Sequence, residues 1–209
     1  MTPNFALAVD PVFLHMVRLL DTISAGKEPD AKEERVRISA LLSEADARLG
    51  SNPEWDLARY GLVAWIDEML VEAPWGGKEW WSNNVLEMEL FSTRNCYEMF
   101  FVKAKEASGL SQRDALEVFY VCVMLGFRGF YDDPQLARPV IQSAGLPEDL
   151  DSWAQQTAIG IRLGSGRPIM QQVPRAVGGA PPRARRERAV WPWVFSAIAV
   201  STAILCYAL

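Results

Sequence analysis

Apolar residues recur at helical spacing along most of the first 163 residues of the chain. Between residues 13 and 23 they lie three or four positions apart, which is typical of an amphipathic helix, and the Asp10-Pro11 pair predicts its start. The same spacing predicts two further helices, at residues 31–49 and at about 54–73, the second of which is ended by Pro74. No stretch alternates between apolar and polar residues over a useful length. The pattern therefore predicts an all-α fold.

Four more helices follow from the same pattern, at residues 85–91, 96–107, 111–127 and 148–163. Ser111, with Asp114 three positions later, resembles a capping box at the start of the third of these. Apolar residues surround that helix on most sides from Ala115 to Phe127, so it is predicted to be the central, buried one. Residues 1–163 are therefore predicted to form about seven packed helices.

The C-terminal part of the chain differs from this helical region. Residues 164–188 are rich in Gly, Pro and Arg without apolar periodicity, which is typical of a linker. Residues 189–209 contain no charged side chain, and about 20 helical residues span the hydrocarbon layer of a membrane, which is about 30 Å thick. Trp191 and Trp193 lie at one end of this segment and Tyr207 at the other, where such rings favour the headgroup region. We therefore predict one transmembrane anchor, and the alternative is a buried terminal helix of a soluble domain.

Charge is unevenly distributed along the chain. The formal net charge is −5, but residues 171–190 hold five arginines against one glutamate, a balance of +4 that leaves −9 on the rest. The net negative charge of the chain outside residues 171–190 argues against a nucleic-acid-binding protein. Arginines beside a membrane span remain in the cytoplasm by the positive-inside rule, so the helical region is predicted to be cytoplasmic. Small residues within the span favour close helix approach and predict a homodimer through the anchor.

The sequence lacks the motifs of common catalytic and cofactor sites. It contains no GxSxG, P-loop, GxGxxG or HExxH pattern, and its three cysteines are far apart without a nearby ligand set. The one histidine, His15, lies on an apolar helical face and is predicted to be a partly buried structural residue. We therefore predict no cofactor, no metal site and no enzymatic activity. An enzyme would have to assemble distant acids such as Asp67, Glu117 and Asp132.

Two adjacent carboxylates, Asp67 and Glu68, lie in the third predicted helix. Neighbours on a helix point about 100° apart, so the pair cannot converge on one bond as an acid and a base would. Asp67 lies on an otherwise apolar stripe, where it either accepts hydrogen bonds from a helix start or a tryptophan indole, or lines a docking groove. Glu68, beside Glu72, lies either on an ordinary solvated face or in the same acidic groove, which basic residues of a partner would enter.

Five blocks of sequence between residues 60 and 131 resemble a known family. They are YGLVAWIDEMLVEAPWGG, WW, LEMELF, FF and LEVFYVCVMLGFRGFY. In this order and with a C-terminal anchor, they are similar to the DotU/TssL family of inner-membrane components of bacterial type VI secretion, which has close relatives in type IVB secretion. The resemblance implies a hook-shaped cytoplasmic domain of two packed helical bundles at the inner membrane, beside the larger membrane subunit TssM.

The resemblance also implies a docking role for the acidic pair. In the family an Asp-Glu pair lies in a cytoplasmic cleft implicated in docking the baseplate, and this pair maps onto Asp67 and Glu68. Glu72 and Trp75 follow in the same block and are predicted to bind the partner with them. The predicted partners are therefore a TssM-like membrane subunit and TssK-like and TssE-like baseplate proteins.

Two departures from the family pattern lie in the matching blocks. Tyr97-Glu98-Met99 replaces a Gly and an acidic residue before the double Phe, and Gly129-Phe130-Tyr131 lacks the arginine usual there, so a pairing by that arginine is not expected. The sequence ends at the predicted anchor, without the peptidoglycan-binding domain of longer members, so another subunit is expected to supply any wall attachment. The predicted function is a scaffold subunit of a type VI or type IVB secretion machine. A tail-anchored enzyme and a membrane-tethered adaptor outside secretion are the alternatives.

Overall fold

The structure, a computed structural model, describes residues 1–164, except for the side chains of Pro134 and Leu136. This range contains nine α-helices, one 3₁₀ helix and no strand. The α-helices are α1 (Pro3–Ser24), α2 (Ala31–Leu49), α3 (Pro53–Glu72), α4 (Lys78–Asn83), α5 (Leu86–Phe91), α6 (Cys96–Ser108), α7 (Asp114–Met124), α8 (Pro134–Ala144) and α9 (Leu150–Gly164), and the 3₁₀ helix is Gly129–Asp132. The all-α prediction is confirmed for the described residues, and seven of the nine α-helices have 11 or more residues.

Helix α1 begins at Pro3 rather than at the Asp10-Pro11 pair, and Pro11 lies inside it. Because Pro11 has no N–H, the carbonyl of Leu7, four residues earlier, has no helical donor. Leu7 and Pro11 both lie on the exposed side of α1, where water can bind that carbonyl. The proline therefore does not end the helix.

Helix α2 has the bounds that the sequence predicts. Asp30 caps it, because the Asp30 carboxylate accepts hydrogen bonds from Lys32 N and Glu33 N at 2.9 Å each. Helix α1 packs against α2, and the Nε2 atom of His15 lies 2.9 Å from Oε2 of Glu34. His15 is half-buried, which confirms the partly buried position predicted for it.

Helix α3, and not α7, is the central helix. It packs against α2, α4, α5, α6 and α7, and 14 of its 20 residues are buried. The approach of α7 is close at Gly61, where a Cβ atom would lie 2.8 Å from the ring of Phe119. The prediction that α7 is central is therefore wrong. The all-round apolar pattern of α7 reflects its burial between α3, α6 and α9.

Helix α7 begins at Asp114, three residues after the predicted capping residue Ser111. Its own N-terminal residues supply no side-chain cap, and instead Glu54 Oε2 of α3 accepts a hydrogen bond from Ala115 N at 2.9 Å. The carboxylate of Asp114 binds Thr2, whose N–H and hydroxyl donate to it at 2.6 and 2.7 Å. The predicted capping box is therefore wrong, because the acid for this helix start comes from another helix.

Two of the helices have no counterpart in the sequence prediction. Helix α4 lies in the tryptophan-rich segment after Pro74, where Pro and Gly mark a turn, and it carries the fully buried Trp81. Helix α8 begins with Pro134 and contains Pro139 in its interior. Pro139 inside α8 is read as a break, and Pro74 and the two glycines before α4 are read as a loop, so neither helix is predicted from the sequence pattern.

The buried apolar side chains of the described residues form one contiguous cluster. The hook-shaped arrangement of two bundles stays a prediction. Within residues 1–164, no helix is both long enough and apolar enough to cross a membrane. The predicted anchor at 189–209 and the predicted linker beyond Gly164 lie outside the described residues, as do Trp191, Trp193 and Tyr207.

Candidate functional site

Asp67 lies near the C-terminal end of α3 and is buried, with 3% of its surface exposed. Its Oδ1 atom accepts hydrogen bonds from the Trp81 indole N–H at 2.9 Å and from Leu86 N at 2.8 Å. Its Oδ2 atom accepts a hydrogen bond from Glu87 N at 2.8 Å. Because α5 has no side-chain cap of its own, Asp67 supplies the acceptors for its first N–H groups. Both bonding partners predicted for a structural Asp67, a helix start and a tryptophan, are therefore confirmed.

Glu68 is also buried, with 2% of its surface exposed, so the alternative of a solvated face is wrong. Its carboxylate accepts hydrogen bonds from Arg128 N at 2.6 Å and from Gly129 N at 3.0 Å, at the start of the 3₁₀ helix. That helix has no side-chain cap of its own. These N–H groups stabilise the buried carboxylate, because they replace the water that an exposed carboxylate would bind.

The position of Gly129 allows this contact. Its φ angle is 52°, in the left-handed region that residues with a side chain rarely adopt. A Cβ atom at this position would also lie 2.9 Å from the carbonyl oxygen of Tyr97. A larger residue would therefore displace the N–H that reaches Glu68.

A third buried carboxylate, Glu87 of α5, is the residue that sequence reasoning missed. It is 1% exposed, and its Oε1 atom accepts hydrogen bonds from Tyr60 Oη at 2.7 Å, Thr93 Oγ1 at 2.8 Å and Asn95 N at 3.0 Å. Its Oε2 atom accepts a hydrogen bond from Cys96 N at 3.1 Å, at the start of α6. In the sequence Glu87 resembles any acid in the first turn of a helix, so no local signal identifies it.

The three carboxylates of Asp67, Glu68 and Glu87 line one pocket of about 260 Å³. The other residues that line it are Val71, Ser82, Val85, Arg94, Cys96 and Tyr97. An acidic groove at the Asp-Glu pair, one of the alternatives from the sequence, is therefore present. Its inner carboxylates are engaged with N–H and O–H groups of the chain itself.

Burial dominates the titration of the acidic pair. It raises the pKa of Asp67 to about 6, against the opposing hydrogen bonds from Glu87 N and Leu86 N. Burial likewise raises the pKa of Glu68 to about 7, against the hydrogen bond from Arg128 N. The charges of Glu72 and Asp132 add to the rise at Glu68. Both carboxyl groups therefore titrate close to neutral pH.

Three exposed groups form what we call the acidic rim: Glu72, Tyr97 and Asp132. Tyr97 has 45% of its surface exposed. Its phenol pKa is raised by partial burial first, and then by negative charge on Glu68, Glu72 and Asp132. Glu72 lies one helical turn beyond Glu68 on α3, and Asp132 ends the 3₁₀ helix whose first residue, Gly129, lies beside the Tyr97 carbonyl. Both acids are therefore on segments that adjoin Tyr97.

Of the four residues predicted to bind a partner, Glu72 alone is exposed. Trp75 is 6% exposed, its indole N–H donates to the Leu70 carbonyl at 2.8 Å, and its ring lies against Trp81 with centroids 6.5 Å apart. The buried side chains of this set, those of Asp67, Glu68 and Trp75, therefore form hydrogen bonds inside the domain. The docking role predicted for them stays a prediction.

The acids of the enzyme alternative have separate surroundings. Asp67 binds the start of α5, Glu117 contacts the amino group of Met1, and Asp132 ends the 3₁₀ helix. Among the described residues no group of three or more His, Cys, Asp or Glu side chains is arranged to hold a metal ion.

Comparisons with known proteins agree with this fold. The cytoplasmic domain of TssL from Acinetobacter baumannii is similar in structure, with a TM-score of 0.61 at 22% identity, over 77% of this chain and 98% of that chain. At this identity the similarity establishes a common fold. Comparison with curated proteins finds no significant match.

A family model, described as type VI secretion system protein DotU, matches residues 4–209 of the chain. The match covers nearly the whole sequence and includes the uncharged C-terminal segment. The chain therefore belongs to the DotU family of type VI secretion system proteins.

Proposed function

We propose that this chain is a structural subunit of the inner-membrane complex of a type VI secretion system, and that its acidic rim docks the cytoplasmic baseplate. Family membership supports the secretion role. The observation that carries the docking proposal is the arrangement at the end of α3. Two adjacent carboxylates, Asp67 and Glu68, hold two different helix starts, and exposed acidic groups lie beside them.

The chemistry of the acidic rim favours a basic partner. Glu72 and Asp132 put two exposed negative charges on segments that adjoin Tyr97, and an arginine or lysine of a partner would be attracted to them. The exposed Tyr97 ring could also receive such a cation on its face. TssK-like and TssE-like baseplate proteins are the partners proposed to supply the basic side chains. The buried Asp67 and Glu68 would then act by holding the segments that carry the rim.

The C-terminal segment is proposed to anchor this domain in the membrane. Residues 189–209 carry no charge, with Trp191, Trp193 and Tyr207 near the ends, and arginines precede them. The anchor would place the helical region in the cytoplasm, beside a TssM-like subunit, and its small residues would support a homodimer through the span.

Titration of the purified full-length chain with the TssK-like and TssE-like proteins of its own system tests the docking proposal. Because acidic groups would meet basic ones, we expect the Kd to rise at least tenfold between about 50 and 500 mM salt. Failure of both proteins to bind, or binding that salt does not weaken, would contradict it.

Protease treatment of intact spheroplasts tests the proposed orientation. The arginines before the span predict that residues 1–163 remain uncut, because they lie on the cytoplasmic side. A periplasmic control protein should be digested in the same sample. Digestion of residues 1–163 from the outside would overturn the orientation.

A further inference from the structure

We infer that Glu87 is a positioning residue for the acidic rim: it holds the start of α6, and thereby Tyr97, in the place where a partner reaches it. The inference rests on the proposed docking function and adds to it a residue that the partner does not touch. Glu87 is 1% exposed, so it acts through the elements that it joins.

Glu87 links three helices at one carboxylate. The backbone N–H of Glu87 donates a hydrogen bond to Asp67 of α3, and the Glu87 carboxylate accepts one from the Tyr60 hydroxyl of α3 at 2.7 Å. The same carboxylate accepts hydrogen bonds from the N–H groups of Asn95 and Cys96, at 3.0 and 3.1 Å. These two residues lie at the start of α6. Helix α6 has no side-chain cap of its own. The position of the first turn of α6 relative to α3 therefore depends on Glu87.

The rim residue Tyr97 directly follows the two N–H groups that Glu87 binds. Its backbone carbonyl also lies beside Gly129, at the 3₁₀ helix that Glu68 holds. The place of Tyr97 is thus set from two sides, by Glu87 through α6 and by Glu68 through the 3₁₀ helix. Loosening the start of α6 would move Tyr97 without removing any rim group.

A carboxylate suits this junction better than an amide. Four donors converge on Glu87, and a carboxylate offers about four acceptor sites. Glutamine keeps the shape but replaces one acceptor oxygen with an NH₂ donor. With the amide oxygen toward Tyr60, Thr93 and Asn95, the NH₂ group would face Cys96 N, and that contact would be lost. Glu87→Gln therefore tests the junction with little change of volume.

Cys96 provides a chemical reporter at this junction. Burial, followed by the charge of Glu87, raises the pKa of the Cys96 thiol. The thiolate is the form that reacts with alkylating agents, so Glu87 should slow alkylation of Cys96. Cys122 is fully buried and should react only when the domain opens. The two cysteines therefore separate a local effect from unfolding within one sample.

The experiment alkylates the full-length chain with iodoacetamide at pH 8 and measures modification of each cysteine by mass spectrometry. For Glu87→Gln we expect alkylation of Cys96 to rise severalfold, because loss of the Glu87 charge lowers the thiol pKa, with Cys122 unmodified. Glu89→Gln is the matched control, because Glu89 lies on the same helix with its side chain 63% exposed. It should leave Cys96 unchanged.

The same variants are then titrated with the purified baseplate proteins used above. Glu87→Gln should weaken binding at least fivefold, and Glu89→Gln should not. An unchanged Cys96 rate in Glu87→Gln, or a raised rate with unchanged binding, would overturn the positioning role. Equal reactivity of Cys96 and Cys122 would show general unfolding and would also overturn it. If the wild-type chain binds neither protein, the docking proposal fails. Amide hydrogen exchange of Asn95 and Cys96, which Glu87→Gln should speed up and Glu89→Gln should not, still tests whether Glu87 holds the start of α6.

Discussion

Helix starts in this protein are capped in two ways. In the N-terminal region the cap is local: Asp30 begins α2, and Asn52 begins α3 by accepting a hydrogen bond from Trp55 N at 2.9 Å. Around the acidic pocket the cap is distant, since α5 is held by Asp67 and α6 by Glu87. A local cap satisfies one helix end, whereas a distant cap also joins two elements. The second kind therefore makes tertiary structure depend on single buried acids.

The largest contrast between the two kinds of cap is expected on removing each acid. Asp67→Ala leaves three buried N–H donors without a partner, at about 1 to 3 kcal/mol each, so we expect a total loss of at least about 3 kcal/mol. Asp30→Ala frees two exposed N–H groups that water can bind, and should cost about 1 kcal/mol. Denaturant unfolding of both variants measures this, and equal losses would break the distinction.

Titration sharpens the same contrast. The folded-state pKa of Glu68 is raised from 4.5 to about 7, so its contribution to stability is fully present below about pH 4.5 and is lost as the pH rises through 7. At about 1.4 kcal/mol per pKa unit, a shift of this size corresponds to about 3 kcal/mol. Asp67 should act in the same direction, with its loss spread between about pH 4 and pH 6.

Unfolding free energies between pH 4.5 and 8 test this. Stability of the wild type should decline across the window from these two groups, and Glu68→Gln should decline less because one titrating group is gone. Glu106→Gln, an exposed acid on α6, is the control and should keep the wild-type slope. A slope in Glu68→Gln equal to that of the wild type would refute the role of Glu68.

A smaller difference is expected between two glycines with positive φ. Gly26 has a φ of 76° and open space around it, so Gly26→Ala should cost about 1 kcal/mol for conformation alone. Gly129→Ala adds a clash with the Tyr97 carbonyl oxygen and should cost about 2 kcal/mol. Thermal unfolding compares the two. Equal costs would mean that the contact of the 3₁₀ helix with α6 is looser than described.

The sequence predicted what local patterns determine. Helix α2, with its acidic cap and terminal glycine, appears within its predicted bounds, and the structural alternative for Asp67 named both of its partner types. Helix α8 was missed, because Pro139 inside it is read as a break. The start of α1 was misplaced for the related reason that Pro11 looks like a first residue.

The rest of the candidate site depends on residues far apart in the chain. Glu68 accepts a hydrogen bond from the N–H of Arg128, which is 60 residues away in the chain. No residue near Glu68 in the sequence therefore indicates that it is buried. The cap of α7 is supplied by Glu54, which is 61 residues from Ala115. A local reading sees only an acid on a helix in each case. Such contacts depend on which helices pack against α3, and hydrophobic periodicity alone does not predict that arrangement.

The burial of Glu68 changes which variants can test docking. Glu68→Lys would place a lysine without a partner in the interior, so lost binding would not separate docking from unfolding. Glu72 and Asp132 are exposed and belong to the rim. Their reversal changes the surface and leaves the buried caps intact.

In the proposed function, buried carboxylates, those of Asp67, Glu68 and Glu87, position the segments of this site, and the exposed acids of the rim bind the partner. The most direct test measures the melting temperature and the Kd for the baseplate proteins in the double variant Glu72→Lys/Asp132→Lys. Glu44→Lys/Glu106→Lys is the control, because it makes the same charge change at exposed acids of α2 and α6 outside the rim. We predict a Kd raised at least tenfold, or about 1.4 kcal/mol, in the rim variant alone, with both melting temperatures within about 2 °C of the wild type. Unchanged binding by a rim variant that melts normally would contradict the account.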